Sequence, residues 1–513
     1  MSRSHSTSNL DRRGFIGLAA ASLAAMPVVG TRLVQAQGTP VAVDRIDELV
    51  IDLAGEPVTI DPAMAYAPLD WSIVHSLYDA LVGFDADGQI QPVAASSFEV
   101  VDETTFEAVL REGMTFHDGS PVTSDAVVRG IDHVRGGESL VADLFATVDG
   151  VEVVDELTVR ITCSVPSPWL PAQMAAWLVL LPEGVTADSL ASSPVGSGPY
   201  KLATWDRGNE ITLERFEDYQ PVGVKGTPIA NTVRYHFVPD ATTRVSNLLA
   251  GDTHLVDTVP FDMLTTLEQT DARIVPQELV GSAWIRIATD TDPFSDVRVR
   301  QALNLALDVD SFPGALIYEQ SYRLASIHPG QASMGFDPAL APYEFDPDAA
   351  RGLLEEAGIA DGIEATMQIT ENTQQSVAEA IVAQWNEVGI SVDLEVADYA
   401  TFNAGWSDPS APVLRMATWS PLYDPHTLLS LVWASDGVLS RYSNEEVDRL
   451  IADAAGESDR ERRAALYREL AGVMREDAAG VWLWNQVAVY GLSQDVPDWS
   501  PRPDEWLLPL LRG

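Results

Sequence analysis

Lysine is almost absent from this 513-residue chain: Lys201 and Lys225 are the only two, so 29 of the 31 basic residues are arginine. Cysteine is rarer still. Cys163 stands alone, which excludes an intrachain disulfide, a structural zinc cage and an iron–sulfur site. Positive charge as a whole is scarce: Asp plus Glu number 76, for a formal net charge of −45. A nucleic-acid binder needs a basic footprint that displaces phosphate counterions, and anionic lipid is held by clustered Lys and Arg; the composition argues against both partners. Past residue 36 no apolar run approaches the ~20 residues needed to span a bilayer. The eight histidines (positions 5, 75, 117, 133, 236, 254, 328 and 426) show no metal-site spacing, and no cofactor motif occurs. A secreted hydrolase, the alternative of another class, lacks both a G-x-S-x-G elbow and an H-E-x-x-H zinc motif and would have to use paired carboxylates.

What is present is a globular composition, 46% hydrophobic and 21% charged, in a chain long enough for about three domains at ~150 residues each. The first 36 residues read as an address. Arg12-Arg13 precede Gly14-Phe15-Ile16, a weakly apolar run continues to Val29, and Val34-Gln35-Ala36 offers a small-residue cleavage site. This looks like a twin-arginine export signal over 1–36, with an ordinary secretory signal as the alternative. No cysteine sits near the cleavage site to carry a lipid anchor. The expected product is a mature chain starting at Gln37, exported to the periplasm or beyond, not inserted in a membrane, and monomeric.

Beyond the signal, short β runs alternate with amphipathic helices, an α/β pattern. Strands are predicted at Glu48–Leu53, Thr232–Val238, Ala283–Ala288, Ile363–Ile369, Ile390–Val396, Val413–Ala417 and Val481–Tyr490. Thr123, Asp240 and Asp346 are positioned as helix N-caps, with Pro347 at a first helical position. Gly251 and Gly358 are the matching stops. His117-Asp118-Gly119 reads as a turn, and Gly196-Ser197-Gly198 lacks the phosphate-loop ending, so its glycines are assigned to backbone geometry.

Several segments form an ordered series: Asp61-Pro62-Ala63; Phe116 through Asp125 (FHDGSPVTSD); Pro194 through Tyr200 (PVGSGPY); Pro293 through Leu303 (PFSDVRVRQAL); Tyr343 through Gly358; and Tyr442-Ser443-Asn444-Glu445-Glu446-Val447-Asp448. In this order they resemble the large extracellular solute-binding proteins of peptide- and nickel-type ABC importers, over about residues 47–490. The resemblance implies a two-lobed clamp of the periplasmic-binding-protein kind, large type. Lobe I would comprise 37–61, 190–280 and 486–513, with an extra subdomain at 62–189; lobe II would span 281–485. The connections would fall near Pro276–Ser282 and Asn485–Tyr490. Its implied partners are a peptide or other small solute, an ABC permease and its ATPase, and it implies no catalysis.

The most specific string is Trp419-Ser420-Pro421-Leu422-Tyr423-Asp424-Pro425-His426, placed after a strand where α/β sheets present loops to a cleft. It resembles the nickel branch more than the peptide branch, where an Asp commonly stands at the position of Leu422 and holds the ligand's amino terminus. The nickel branch also uses an arginine that has no counterpart between Arg160 and Arg207, and a histidine after His426 that is missing here. The expected ligand-binding residues are Tyr66, Trp71, Trp419, Tyr423 and Asp424, with Asp424 facing the cleft to hold a cationic group. His426 is a candidate metal ligand or a helix-start residue. A peptide or organic cation is expected first, a nickel chelate second.

Overall fold

The computed structural model describes residues 45–221, 224–328, 330, 332–359, 361–370, 373, 375–419 and 423–511, with the backbone alone of 32–34 and 399–400. The expected export signal thus lies outside the described residues, save for Arg32–Val34, and Leu422 lies outside them too.

Along the chain the first strands are β1 Arg32–Val34, β2 Ile46–Leu53, β3 Val82–Phe84, β4 Ile90–Pro92, β5 Ala95–Asp102, β6 Thr105–Leu110, β7 Val148–Val153 and β8 Thr158–Cys163. Next come β9 Tyr200–Asp206, β10 Glu210–Arg215, β11 Thr227–Pro228, β12 Ala230–Phe237, β13 Leu255–Val256 and β14 Arg273–Ile287. The last are β15 Ile363–Thr370, β16 Ile390–Ala397, β17 Leu414–Trp419, β18 Gly480–Leu492 and β19 Leu510–Leu511. One sheet has the order β1-β5-β6-β8-β7; the largest has β16-β15-β17-β14-β18-β13-β2-β12-β10-β9; β11-β19 and β3-β4 are small ribbons.

The large sheet is organised by β14 and β18, which pair antiparallel from Arg273 opposite Leu492 to Arg286 opposite Gly480. Their register breaks between Glu278 and Ser282 and again before Trp284, within the segment expected to link two lobes. On one side β2 runs parallel to β13 and β12, and β13 is antiparallel to β18. On the other, β15 runs parallel to β16 and β17, and β17 is antiparallel to β14. These directions bring the carboxyl ends of six strands, three from each side, toward the crossing, which is where open α/β sheets hold ligands.

Strand composition follows burial. Leu49–Leu53, apart from the buried Asp52, and Val481–Leu483 are buried apolar runs, as strands covered on both faces require. In the second half the sheet separates two cores by alternation: Ile285, Leu414 and Met416 join Trp385 on one face, while Trp284 and Ala417 join Trp406, Trp433 and Trp482 on the other. The first half has its own core, which includes Phe98 and Phe106 and takes in Trp499, Trp506 and Leu510 from the C-terminal tail.

Two local expectations need correction. β14 starts ten residues before Ala283, because its first half (Pro276, Gln277 and Glu278 among it) is only half-buried and carries no apolar run, yet pairs fully with β18. Thr123 stands at the N-cap of Ser124–Val134 without making a side-chain cap bond; the Ser124 hydroxyl instead donates to the Asp155 carbonyl at 2.6 Å. The other caps hold: Asp240 accepts from the Thr243 amide, Asp346 accepts from the Ala349 amide, and Gly251 ends its helix at φ 79°. Gly196 has no room for a side chain: a Cβ there would lie 1.9 Å from the Leu77 carbonyl.

Candidate functional site

The loop after β2 leads into helix α1, Pro68–Leu77, with proline in its first turn. Asp70, buried in that turn, organises the loop. One of its carboxylate oxygens accepts from the Val58 amide at 2.8 Å, and the other from the Tyr66 and Ala67 amides at 3.3 Å. Burial raises its pKa, and these backbone bonds work against the rise.

Asp70 thereby fixes Tyr66 and Trp71 at one aromatic wall. The Tyr66 ring lies 6.5 Å from Trp71 and 5.8 Å from Trp177; Trp71 lies 5.4 Å from Trp177 and 5.8 Å from Trp506. Tyr66 is 41% exposed, yet desolvation pushes its hydroxyl pKa up. Protein surrounds it while solvent still reaches it, as befits a residue on the wall of a concave site. Trp71 is buried, and its indole N–H has no protein partner among the described residues.

Trp506 comes from the C-terminal tail and stacks on His75 at 4.2 Å. Beside it lies Arg502, 5.0 Å above the Trp506 ring and ion-paired with Asp504, its Nε donating to the carboxylate at 2.6 Å. Burial opposes the Arg502 charge, and Asp504 outweighs it, so the pKa ends raised. Lys225, also buried, meets Asp79 at 2.5 Å. Burial, with Lys225 and Arg502 nearby, holds His75 well below the usual imidazole range. The wall is therefore aromatic, with its charges paired internally.

The opposite side is built after β17. Trp419, its last residue, is partly buried, pairs across the sheet with Ser282 at the crossing, and meets Trp406 edge-on at 6.4 Å. Tyr423 crosses to the first half. It is buried in that half's core, 4.8 Å from Phe84, and its hydroxyl donates to Asp504 at 3.4 Å. Its backbone is left-handed, φ 58°, a conformation costly for a bulky side chain.

Asp424 does not face an open cleft. Arg463 grips it with two bonds, 2.6 and 2.9 Å, and both residues are buried. The Asp424 carboxylate also accepts from the His426 amide at 3.0 Å. The cation expected of a ligand is supplied by the chain itself, which corrects the expected role. His426 stacks on Trp169 at 4.5 Å and has its pKa lowered to about 4, mainly by burial. Next to it, Gln173 donates to the Thr427 hydroxyl at 3.0 Å. No group of three or more His, Cys, Asp or Glu side chains suited to a metal occurs among the described residues.

The structure thus brings Tyr66 and Trp71 together, links Tyr423 to the same wall through Asp504, and keeps Trp419 and Asp424 on the far side. A cavity of about 160 Å³ lies beside the crossing strands, lined by Tyr322, Arg323, Ser326, His328 and Phe336. Tyr322 closes on Glu278 of β14 at 2.7 Å. Sequence reasoning missed Trp506, Arg502 and Asp504 because the Pro-rich tail carries no motif; its Arg-x-Asp-x-Trp spacing was the available signal.

This architecture defines a two-lobed solute-binding clamp. The chain belongs to the bacterial extracellular solute-binding proteins, family 5, whose middle-region model matches residues 89–440. The glutathione-binding protein GsiB of Pectobacterium atrosepticum is 26% identical over 491 residues, covering 89% of this chain and 92% of that protein. The periplasmic binding protein DppA from Helicobacter pylori, solved with the peptide STSA, has a TM-score of 0.78 at 22% identity, covering 89% of this chain and 96% of that one. AgaA in complex with agropinic acid, from A. tumefacien R10, has a TM-score of 0.77 at 25% identity, covering 90% and 97%.

Proposed function

We propose that this chain is an exported, non-catalytic receptor for a compact peptide-like solute, held between the aromatic wall and the loop after β17. The observation that carries this reading is the Tyr66–Trp71–Trp177–Trp506 group, of which Tyr66 is the exposed member, with the neighbouring charges paired within the protein. Such a wall suits an apolar or planar ligand with few polar contacts. Asp424 is spent on Arg463, so a ligand amine would have to be held elsewhere. The glutathione-binding relative and the structures solved with a peptide and with agropinic acid support a ligand of this size and chemistry. The two lobes are taken as 37–61, 190–280 and 486–513 with a 62–189 subdomain, and 281–485; the separate cores support this division. Export rests on the Arg12-Arg13 signal, and a permease and ATPase partner on the family.

Isothermal titration with glutathione, dipeptides, agropinic acid and nickel with histidine tests the reading. Saturable binding of a peptide-like compound, unconsumed over hours and weakened by Tyr66→Ala, is expected. Binding of the nickel complex alone, or turnover of the bound compound, would replace it.

A further inference from the structure

β14 and β17 place two arginines directly opposite each other: Arg286 pairs with Arg415 in the sheet register. Gln368 of β15 stands next in the same row, and Glu395 of β16 after it. Directly opposed like charges repel across a sheet. Here the repulsion is inside the protein, since Arg286 is 1% and Arg415 0% exposed.

Neither guanidinium hydrogen-bonds to a carboxylate among the described residues; the acids that act on them do so only from a distance, Asp290 on Arg286 and Glu395 and Asp408 on Arg415. Asp290 is taken by Arg441 at 2.7 Å, and Glu395 accepts from Gln368 at 2.6 Å. Part of each arginine serves as a staple for the covering chain. Nη1 of Arg286 donates to the Trp406 and Leu439 carbonyls at 2.9 and 3.0 Å, and Nη2 of Arg415 donates to the Phe402 carbonyl. The flat faces are used too: Trp406 lies 4.7 Å from Arg286 and 4.9 Å from Arg415, and Phe402 lies 4.2 Å from Arg415.

Stapling and stacking leave the in-plane edges. Nε and Nη2 of Arg286 and Nε and Nη1 of Arg415 are buried with no partner. The Nε–Nη2 edge of Arg286 is the fork that receives a carboxylate or one small anion, whereas Nη2 of Arg415 is held by the Phe402 carbonyl, so Arg415 offers Nε and Nη1 as separate single donors. Burial and mutual repulsion lower the pKa of Arg286 to about 9, and burial lowers that of Arg415 to about 10, so both remain cationic at neutral pH. Two buried positive charges with free donors are costly unless an opposite charge joins them.

We propose that Arg286 and Arg415 form an anion site inside the second half of the molecule, taking one small monovalent anion, a halide or a simple carboxylate, on the Arg286 fork with a free Arg415 donor as its second partner. The site lies on β14 and β17 two residue pairs beyond Trp284–Ala417 and four beyond Ser282–Trp419, the steps that lead back to the crossing, so it is separate from the solute cleft and does not depend on which solute binds there.

The test uses the full chain in sodium gluconate, with bromide or formate replacing gluconate at constant ionic strength. Thermal unfolding should show a saturable rise in Tm of at least about 2 °C with one of these ions. A bromide response assigns a halide and a formate response a carboxylate. Arg415→Met should abolish the response and, in gluconate, be at least as stable as the unmodified chain, because a lone Arg286 no longer faces a like charge. If that variant does not fold, crystals of the unmodified protein in bromide decide: an anomalous peak between the two guanidinium groups is expected. A flat Tm in both salts with no such peak overturns the proposal, as does an unchanged anion response in Arg415→Met.

Discussion

Arg463 holds Asp424 through both carboxylate oxygens, 39 residues away in sequence and wholly inside the second half. Its other donors are engaged as well, Nε on the Ala454 carbonyl and Nη2 on the Tyr467 hydroxyl. An aspartate in this position anchors the loop after β17. Asp424→Asn should therefore cost stability, about 3–5 kcal/mol from the buried arginine left without its counter-ion. Urea midpoints measure this. A loss of solute affinity at unchanged stability would return Asp424 to the ligand.

Tyr66 and Trp71 should separate binding from folding. Tyr66 is 41% exposed and Trp71 6%. Tyr66→Ala is expected to lower solute affinity about tenfold, or ~1.4 kcal/mol, with little change in Tm. Trp71→Ala should lower both affinity and stability, the latter by about 3–5 kcal/mol as for a buried aromatic. Calorimetric titration beside thermal unfolding distinguishes the two.

Tyr423 is buried only because it enters the core of the other half, beside Phe84. Its left-handed backbone is held by that insertion. Tyr423→Ala should favour an open clamp: a larger radius of gyration by small-angle scattering and at least tenfold weaker solute binding. An unchanged scattering curve with intact affinity would rule out a latching role.

Acid sensitivity should come from histidines. His117, His328 and His426 each have a folded pKa of about 4, chiefly from burial, against an ordinary value near 6.5. His75 is held well below the usual range too, so between those values the unfolded chain binds more protons, and stability should be complete above about pH 6.5 and fall as pH drops toward 4, with up to four protons taken up on unfolding. Denaturation midpoints from pH 7.5 to 4.5 test this. His328→Gln should flatten the slope.

Much of the fold was legible because it rests on local chemistry. Asp240, Asp346 and Gly251 act where their spacing put them, and the buried β runs at Leu49–Leu53 and Val481–Leu483 read directly as strands. Tyr66 and Trp71 were singled out through the family resemblance alone; their rings lie 6.5 Å apart. What escaped is long-range. Arg463 closes on Asp424 from a different helix, Arg502 and Trp506 arrive from the last dozen residues, and Arg286 meets Arg415 through a sheet register that periodicity does not encode. The early half of β14 was missed because its strand character comes from its partner β18 and not from its own composition.

Lys225 is buried against Asp79 and the Tyr78 carbonyl. Of the two lysines, only Lys201, whose amine donates to the His117 carbonyl at 2.9 Å, is then open to amine-reactive chemistry besides the chain's amino terminus. An ester-coupled dye should attach at one side chain without any engineered cysteine, and the otherwise arginine-borne positive surface would pass through such labelling unaltered.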